Sequence, residues 1–184
     1  MVLSAVTPNL SKSRRGRKRL KAGLADSKTL ALFREGRRLL ATADFDGVSV
    51  ARIAEDAGCS VGAFYVRFKS KSVFLGFIIG ETFGLSGLLA ASTLNSSQLH
   101  ANEIARFLID QFADREFAGV VRAAVKLGFL DPEYRRPFDE YREHFVELIA
   151  NAGGSEQDRK HKHGREIVAQ AAFGILTDAV ISSN

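Results

Sequence analysis

The chain contains no tryptophan, one cysteine, one methionine and three prolines in 184 residues. A lone cysteine cannot close an internal disulfide, which suits a reducing compartment. So few prolines leave long stretches free to coil, and runs that alternate strictly between apolar and polar residues are scarce, so helices are expected in place of strands. Catalytic motifs are missing too: there is no G-x-S-x-G, no phosphate-binding glycine loop and no H-E-x-x-H. The four histidines make no metal-ligand spacing, since His161 and His163 flank Lys162 in a polar stretch and His100 falls in another. Neither a metal nor a cofactor is therefore expected, and no enzymatic activity. Cys59 stands where a turn calls for a small apolar residue, which argues against a nucleophile.

Acidic residues are absent before Asp26, whereas residues 11–21 (SKSRRGRKRLK) hold seven cations. The other 19 of the 26 cations face all 21 acids, so the formal charge of +5 is an N-terminal arm on a body of net −2. Such an arm is either a solvated tail or a strip that lies along phosphates or enters a minor groove, with Arg17 and Lys18 as its test residues. A secretory signal would carry an apolar segment behind these bases. The polar KAGLADSK follows instead, and a cytoplasmic protein is expected.

Helical spacing then takes over. Leu32, Phe33, Leu39 and Leu40 form a stripe from about Ser27 to Thr42, and Asp44 suits a left-handed helix end. Ser49 can cap a second helix, Gly58 ends it, Ser60 caps a third, and Ser70 a fourth beginning at Lys71. Residues 73–92 (VFLGFIIGETFGLSGLLAAS) hold a single charge, Glu81. A carboxylate at the centre of a membrane span costs about 2.5–3.5 kcal/mol, so this segment reads as a helix buried between two parts of a globular protein. Gly76, Gly80 and Gly84 share a face and would admit another helix closely; this makes the fourth helix a candidate lever.

Beyond the polar residues 93–102, apolar stripes recur: Ile104, Phe107, Leu108 and Phe112; then Phe117, Val120, Val121, Ala124 and Val125. Asp131 and Pro132 mark a further start, with Pro137 expected to bend or reset the second turn and Gly153-Gly154 to close the helix. The last stripe, Ile167, Val168, Ala171, Ala172, Ile175, Leu176, Ala179 and Val180, is a broad band of the kind that packs on two neighbours.

Two short helices joined by a glycine turn make a helix-turn-helix. Ile53, Ala54, Ala57, Cys59, Phe64 and Phe68 would face inward, leaving Ser60, Val61, Gly62, Ala63, Tyr65, Val66 and Arg67 for the outer side of the second helix. A major groove admits such a helix, and small residues allow the backbone to approach. Tyr65, Lys69 and Lys71 could add phosphate contacts.

The run VSVARIAEDAGCSVGAFYVRFKSKSVFL resembles the N-terminal domain of the TetR (tetracycline repressor) family of bacterial transcription regulators. Ser49, IAEDAG, Ser60, Gly62, Tyr65, Phe68 and Lys71 carry the likeness over roughly residues 28–77. The resemblance implies an all-α homodimer bound to a palindromic double-stranded operator and released by a small-molecule effector. It also implies phosphate contacts from Ser49, Tyr65 and Lys71 and base contacts around Ser60 to Ala63. Four positions depart from the pattern: Val48 for a hydroxyl residue, Asp44 for glycine, and Val61 with Ala63 for polar residues. Specificity would then lean on thymine methyl groups, on Arg67 or Arg52, and on the arm.

Three regions are expected: a basic arm (1–26), a helix-turn-helix domain (27–72) and a helical effector-binding and dimerisation domain (73–184). The resemblance implies pairing through two C-terminal helices; Ile167 to Ala179 would belong to the first, and no second follows before Asn184, so a shortened chain or a reduced interface is expected. Phe107, Phe112, Phe129, Phe138, Tyr141 and Phe145 are either plain core or the walls of an apolar pocket, with Arg122, Tyr141 and His144 as orienting polar groups. The alternative in another class is a helical small-molecule-binding or interaction protein that has lost DNA binding.

Overall fold

The computed structural model describes residues 26–42, 47–93, 100–152 and 161–183. Eight helices run through them: α1 (Ser27–Thr42), α2 (Val50–Asp56), α3 (Val61–Arg67), α4 (Lys71–Thr93), α5 (Ala101–Ala113), α6 (Arg115–Gly128), α7 (Pro132–Ala150) and α8 (Lys162–Ser182). No strand occurs among the described residues. The arm with Arg17 and Lys18, the helix end at Asp44 and the Gly153-Gly154 break lie outside them.

Side-chain caps set most of the boundaries. Asp26, Ser49, Ser60, Ser70, Asp114 and Asp131 each accept a backbone N–H from two or three residues ahead, at 2.7–3.1 Å. Each satisfies a donor that the first helical turn leaves open, typically about 1 kcal/mol of helix stability. Asp114 alone separates α5 from α6, and Arg37 of α1 lies 3.4 Å from its carboxylate. Pro137 does not reset α7, which is helical from Pro132 to Ala150. The expectation of a break fails because only one backbone donor is lost, and the Asp131 cap and the buried face of Phe138, Tyr141 and Phe145 hold the turns on either side.

Two aromatic clusters mark the core. Phe33, Phe64, Phe68, Phe74 and Phe77 join α1, α3 and the start of α4, with ring centroids from 4.9 to 6.1 Å. Phe83, Phe112, Phe117, Phe138, Tyr141, Phe145 and Phe173 join α4 to α8, from 4.7 to 6.4 Å. Tilted and edge-on pairs of this kind are worth about 0.5–1.5 kcal/mol each beyond the area they bury. Helix α7 contacts α4, α5, α6 and α8, and α6 is wedged between α7 and α1.

Close helix approach occurs at Gly119 and Gly36 rather than at Gly76 and Gly80. A Cβ on Gly80 would meet nothing within 4 Å, and one on Gly76 would meet only the Tyr134 ring at 3.8 Å. On Gly119 of α6 it would collide with the backbone of Leu40 and Ala41, 2.7 Å from the Ala41 nitrogen. On Gly36 of α1 it would strike the side chains of Ile78 and Phe74. Gly76 and Gly80 are thus not points of close packing; at the contact between α1 and α4 the glycine belongs to α1.

Helix α8 packs on α7, α6 and α5 through part of its apolar band. Its buried residues are Ala169, Phe173 and Val180, which pack toward α7, while Ile167, Val168, Ala171, Ala172, Ile175 and Ala179 are exposed and Leu176 is half-buried. The apolar band therefore packs along one edge and presents the rest outward.

Candidate nucleic-acid interface

The turn between α2 and α3 is dictated by Gly58. Its φ of +65° lies in the left-handed region that a Cβ disfavours, and it has open space around it, so the requirement is conformational. Across it the Cys59 N–H reaches back to the Ala54 carbonyl at 2.8 Å. Ile53, Ala54, Phe64 and Phe68 are buried, with Ala57 and Cys59 half-buried against them.

The outer side of α3 then follows from helical geometry. Ser60, Val61, Gly62, Tyr65 and Val66 are exposed and Ala63 is half-buried. Val66 is 84% exposed, an unusual position for a large apolar side chain. Together with Val61 it offers methyl groups at a face otherwise built of small residues. Tyr65 packs edge-on against Phe64 at 5.4 Å, which steadies its ring while leaving it accessible. The Ser49 and Ser60 oxygens accept the Arg52 and Ala63 N–H groups, each at 3.1 Å; their hydroxyl hydrogens remain as donors at two helix N-termini. Lys69 is exposed and Lys71 half-buried just beyond α3.

The two arginines expected at the bases each pair with an acid of the same chain. Arg52 Nε donates to Asp56 Oδ2 at 2.7 Å, and that bond raises its pKa. Arg67 turns inward to the start of α1, where Nε lies 2.8 Å from Asp26 Oδ2 and 3.2 Å from the Thr29 hydroxyl. The Arg67 hydrogen bond is the main reason the Asp26 carboxyl sits well below the usual carboxylate range. Periodicity does not reveal this pair, because its two residues are 41 positions apart.

The expected effector residues divide in the same way. Phe112, Phe138, Tyr141 and Phe145 are brought together in the second aromatic cluster, and Phe107 stacks on Phe145 at 5.6 Å. His144 is half-buried with its ring edge-on to Phe145, and burial lowers its pKa. Phe129 is not brought there: it is 79% exposed in the turn after α6. Arg122 points to α8, donating to the Val180 carbonyl at 3.3 Å. The structure adds Phe83, Phe117 and Phe173 to the cluster, and one polar group within it: Ser86 Oγ donates to Gln111 Oε1 at 2.7 Å and lies 3.4 Å from the Tyr141 hydroxyl. Burial raises the pKa of that phenol.

Among the described residues, no helix is long and apolar enough to cross a membrane, and no three His, Cys, Asp or Glu side chains are grouped to hold a metal.

Residues 32–76 match the family model of the bacterial regulatory proteins of the tetR family. None of the curated proteins matches the chain. Among solved structures, the fatty acid degradation regulator FadR from Bacillus halodurans superposes with a TM-score of 0.60 at 17% identity, over 93% of this chain and 84% of the other. At that identity the likeness is one of fold. The capped helix-turn-helix with its small-residue outer face lies within the matched segment, so the N-terminal domain of this chain is similar to that of the bacterial regulatory proteins of the tetR family.

Proposed function

We propose that the chain is a cytoplasmic, homodimeric repressor that leaves a palindromic operator when a small apolar molecule binds among α4 to α8. The observation that carries the reading is the outer face of α3: Ser60, Val61, Gly62, Tyr65 and Val66 stand clear of the protein on a helix whose far side, Phe64 and Phe68, is buried. Phosphates would be held by Ser49, Tyr65, Lys69 and Lys71, and bases read by Ser60, Val61, Gly62 and Ala63 with Val66 on thymine methyls. Arg52 and Arg67 serve the protein frame in this reading, and Arg17 and Lys18 remain as the arm's phosphate contacts.

Support for effector control comes from α6. One side of it carries Phe117, Val120, Val121 and Ala124 into the core, and Gly119 abuts the end of α1. A ligand that parted Phe117 from Tyr141 and Phe83 would push α6 against α1 and shift the paired recognition helices out of register with successive grooves. Helix α6, in place of α4, is the lever. The name of the FadR neighbour, a regulator of fatty acid degradation, fits an apolar effector.

Pairing would use the open side of α8, where Ile167, Val168, Ala171, Ala172, Ile175, Leu176 and Ala179 line up. Selection of duplexes from a random pool, followed by binding in the presence of a panel of fatty acids and acyl thioesters, tests the reading. A specific duplex released by one of these compounds is expected. Selection of no duplex would refute DNA binding, and a duplex that no compound releases would refute the apolar effector.

A further inference from the structure

One oxygen of Asp26 serves two helices. Oδ2 accepts the Thr29 N–H at 2.9 Å and the Thr29 hydroxyl at 2.7 Å, which caps α1, and it also accepts Arg67 Nε at 2.8 Å. Arg67 is the last residue of α3, and a second nitrogen of its guanidinium donates to the Ala63 carbonyl, one turn back, at 2.9 Å. The first turn of α1 and the last turn of α3 therefore close on a single ion pair.

The geometry opposes a direct role for Arg67 at the bases. Its side chain is only 22% exposed, and Nε and one terminal nitrogen are aimed at acceptors of its own chain, Asp26, Thr29 and Ala63. The neighbouring Val66 marks the outward direction of that turn, and successive helix positions diverge by about 100°. Helix α3 has only seven residues. Phe64 and Phe68 anchor one side of it, but rings leave rotation about the helix axis weakly resisted, whereas a directed ion pair at its end resists it.

We propose that Asp26 and Arg67 are positioning residues that set the roll of α3 on α1, and through it the fit of Val61, Tyr65 and Val66 to a particular DNA sequence, without touching DNA themselves. The proposal rests on the DNA-binding reading above. Misaligning a reading face costs discrimination between sequences more than attraction to phosphates, because backbone contacts carry no sequence information.

Two variants of the full chain separate this from direct readout. Asp26→Ser keeps a capping hydroxyl for α1 but is too short and uncharged to hold Arg67. Arg67→Met removes the guanidinium and leaves the cap. Each is titrated with the duplex enriched by wild type from a random pool and with bulk random duplex, over a salt series. Both variants are expected to lose about tenfold in the ratio of selected to random binding, the size of one mismatched base pair, with an unchanged salt slope. If Arg67 touched DNA directly, Asp26→Ser would free a cation and strengthen binding, while Arg67→Met alone would lose either sequence preference, for a base contact, or about 0.9 of the salt slope, for a phosphate contact. That pattern, or an Asp26→Ser protein with wild-type preference, overturns the proposal. Circular dichroism and urea midpoints verify folding, and if Arg67→Met unfolds, Asp26→Ser decides alone. A wild-type chain that enriches no duplex would overturn the functional reading and this proposal together; enrichment by wild type with preference kept in the variants overturns the proposal alone.

Discussion

Gly119 of α6 rests directly against the backbone of Leu40, at the point where the last turn of α1 ends. Arg37 reinforces the contact from one turn earlier, within 3.4 Å of both Asp114 and Glu116. Helix α6, which lines the aromatic core, thus also touches α1 with no side chain in between.

Gly119→Ala should be costly. Its Cβ would overlap backbone, which cannot swing aside as a long side chain can, and overpacking of this kind costs about 1–3 kcal/mol. Gly80→Ala should act in the opposite direction, since its Cβ has open space and alanine gains roughly 0.5–1 kcal/mol over glycine inside a helix. Urea denaturation of both variants checks the pair of signs. A stable Gly119→Ala protein would show that α6 and α1 are less closely seated than described.

Gly58→Ala and Ser60→Ala attack the same turn by different means. The first forces a Cβ into the left-handed region, at about 1–2 kcal/mol, and the second leaves the Ala63 N–H without its cap, at about 0.5–2 kcal/mol. Gly58→Asn should recover part of the first loss, because asparagine tolerates that backbone conformation. Thermal midpoints read all three, and equal midpoints for Gly58→Ala and Gly58→Asn would contradict the account.

On α8, Val168→Asp and Ile175→Asp should leave the folded subunit intact, since these side chains are 67% and 69% exposed. The same changes should abolish pairing. Light scattering at micromolar concentration is expected to show a dimer for wild type and a monomer for either variant. Phe173→Ala, on the buried edge, should instead lower stability by about 3–5 kcal/mol. A wild-type monomer would refute the open side of α8 as an interface.

His144 should make stability depend on pH. Burial lowers its pKa below the ordinary value of 6.5, so in mildly acidic solution the unfolded chain binds the proton more readily than the folded one. Its contribution is therefore flat above the ordinary value and turns against folding as pH falls from there toward the folded value. His144→Gln should flatten the dependence of the thermal midpoint between about pH 7.5 and 5.5. An unchanged slope would assign the effect to other groups.

Much of this protein is local in origin, and what is local was legible. Ser49, Ser60, Ser70 and Asp131 announce helices because a cap acts on an N–H two or three residues ahead, and Gly58 announces a turn because the need for positive φ belongs to one residue. The buried sides of α2, α3, α6 and α7 follow from a repeat of 3.6 residues and were placed in advance.

Only the folded chain could decide which faces meet. Gly80 and Gly119 look alike along the sequence, yet one borders open space and the other a neighbouring backbone. The band on α8 reads as a face for two neighbours, and only the fold shows that Ala169, Phe173 and Val180 meet them while Val168 and Ile175 stay exposed. Arg67 shares a short helix with the outward-facing Tyr65 and Val66, and its partner Asp26 is brought to it by the packing of α1 on α3. Caps and turns depend on neighbours in the chain; contacts between helices depend on rotation and separation, which no local pattern encodes.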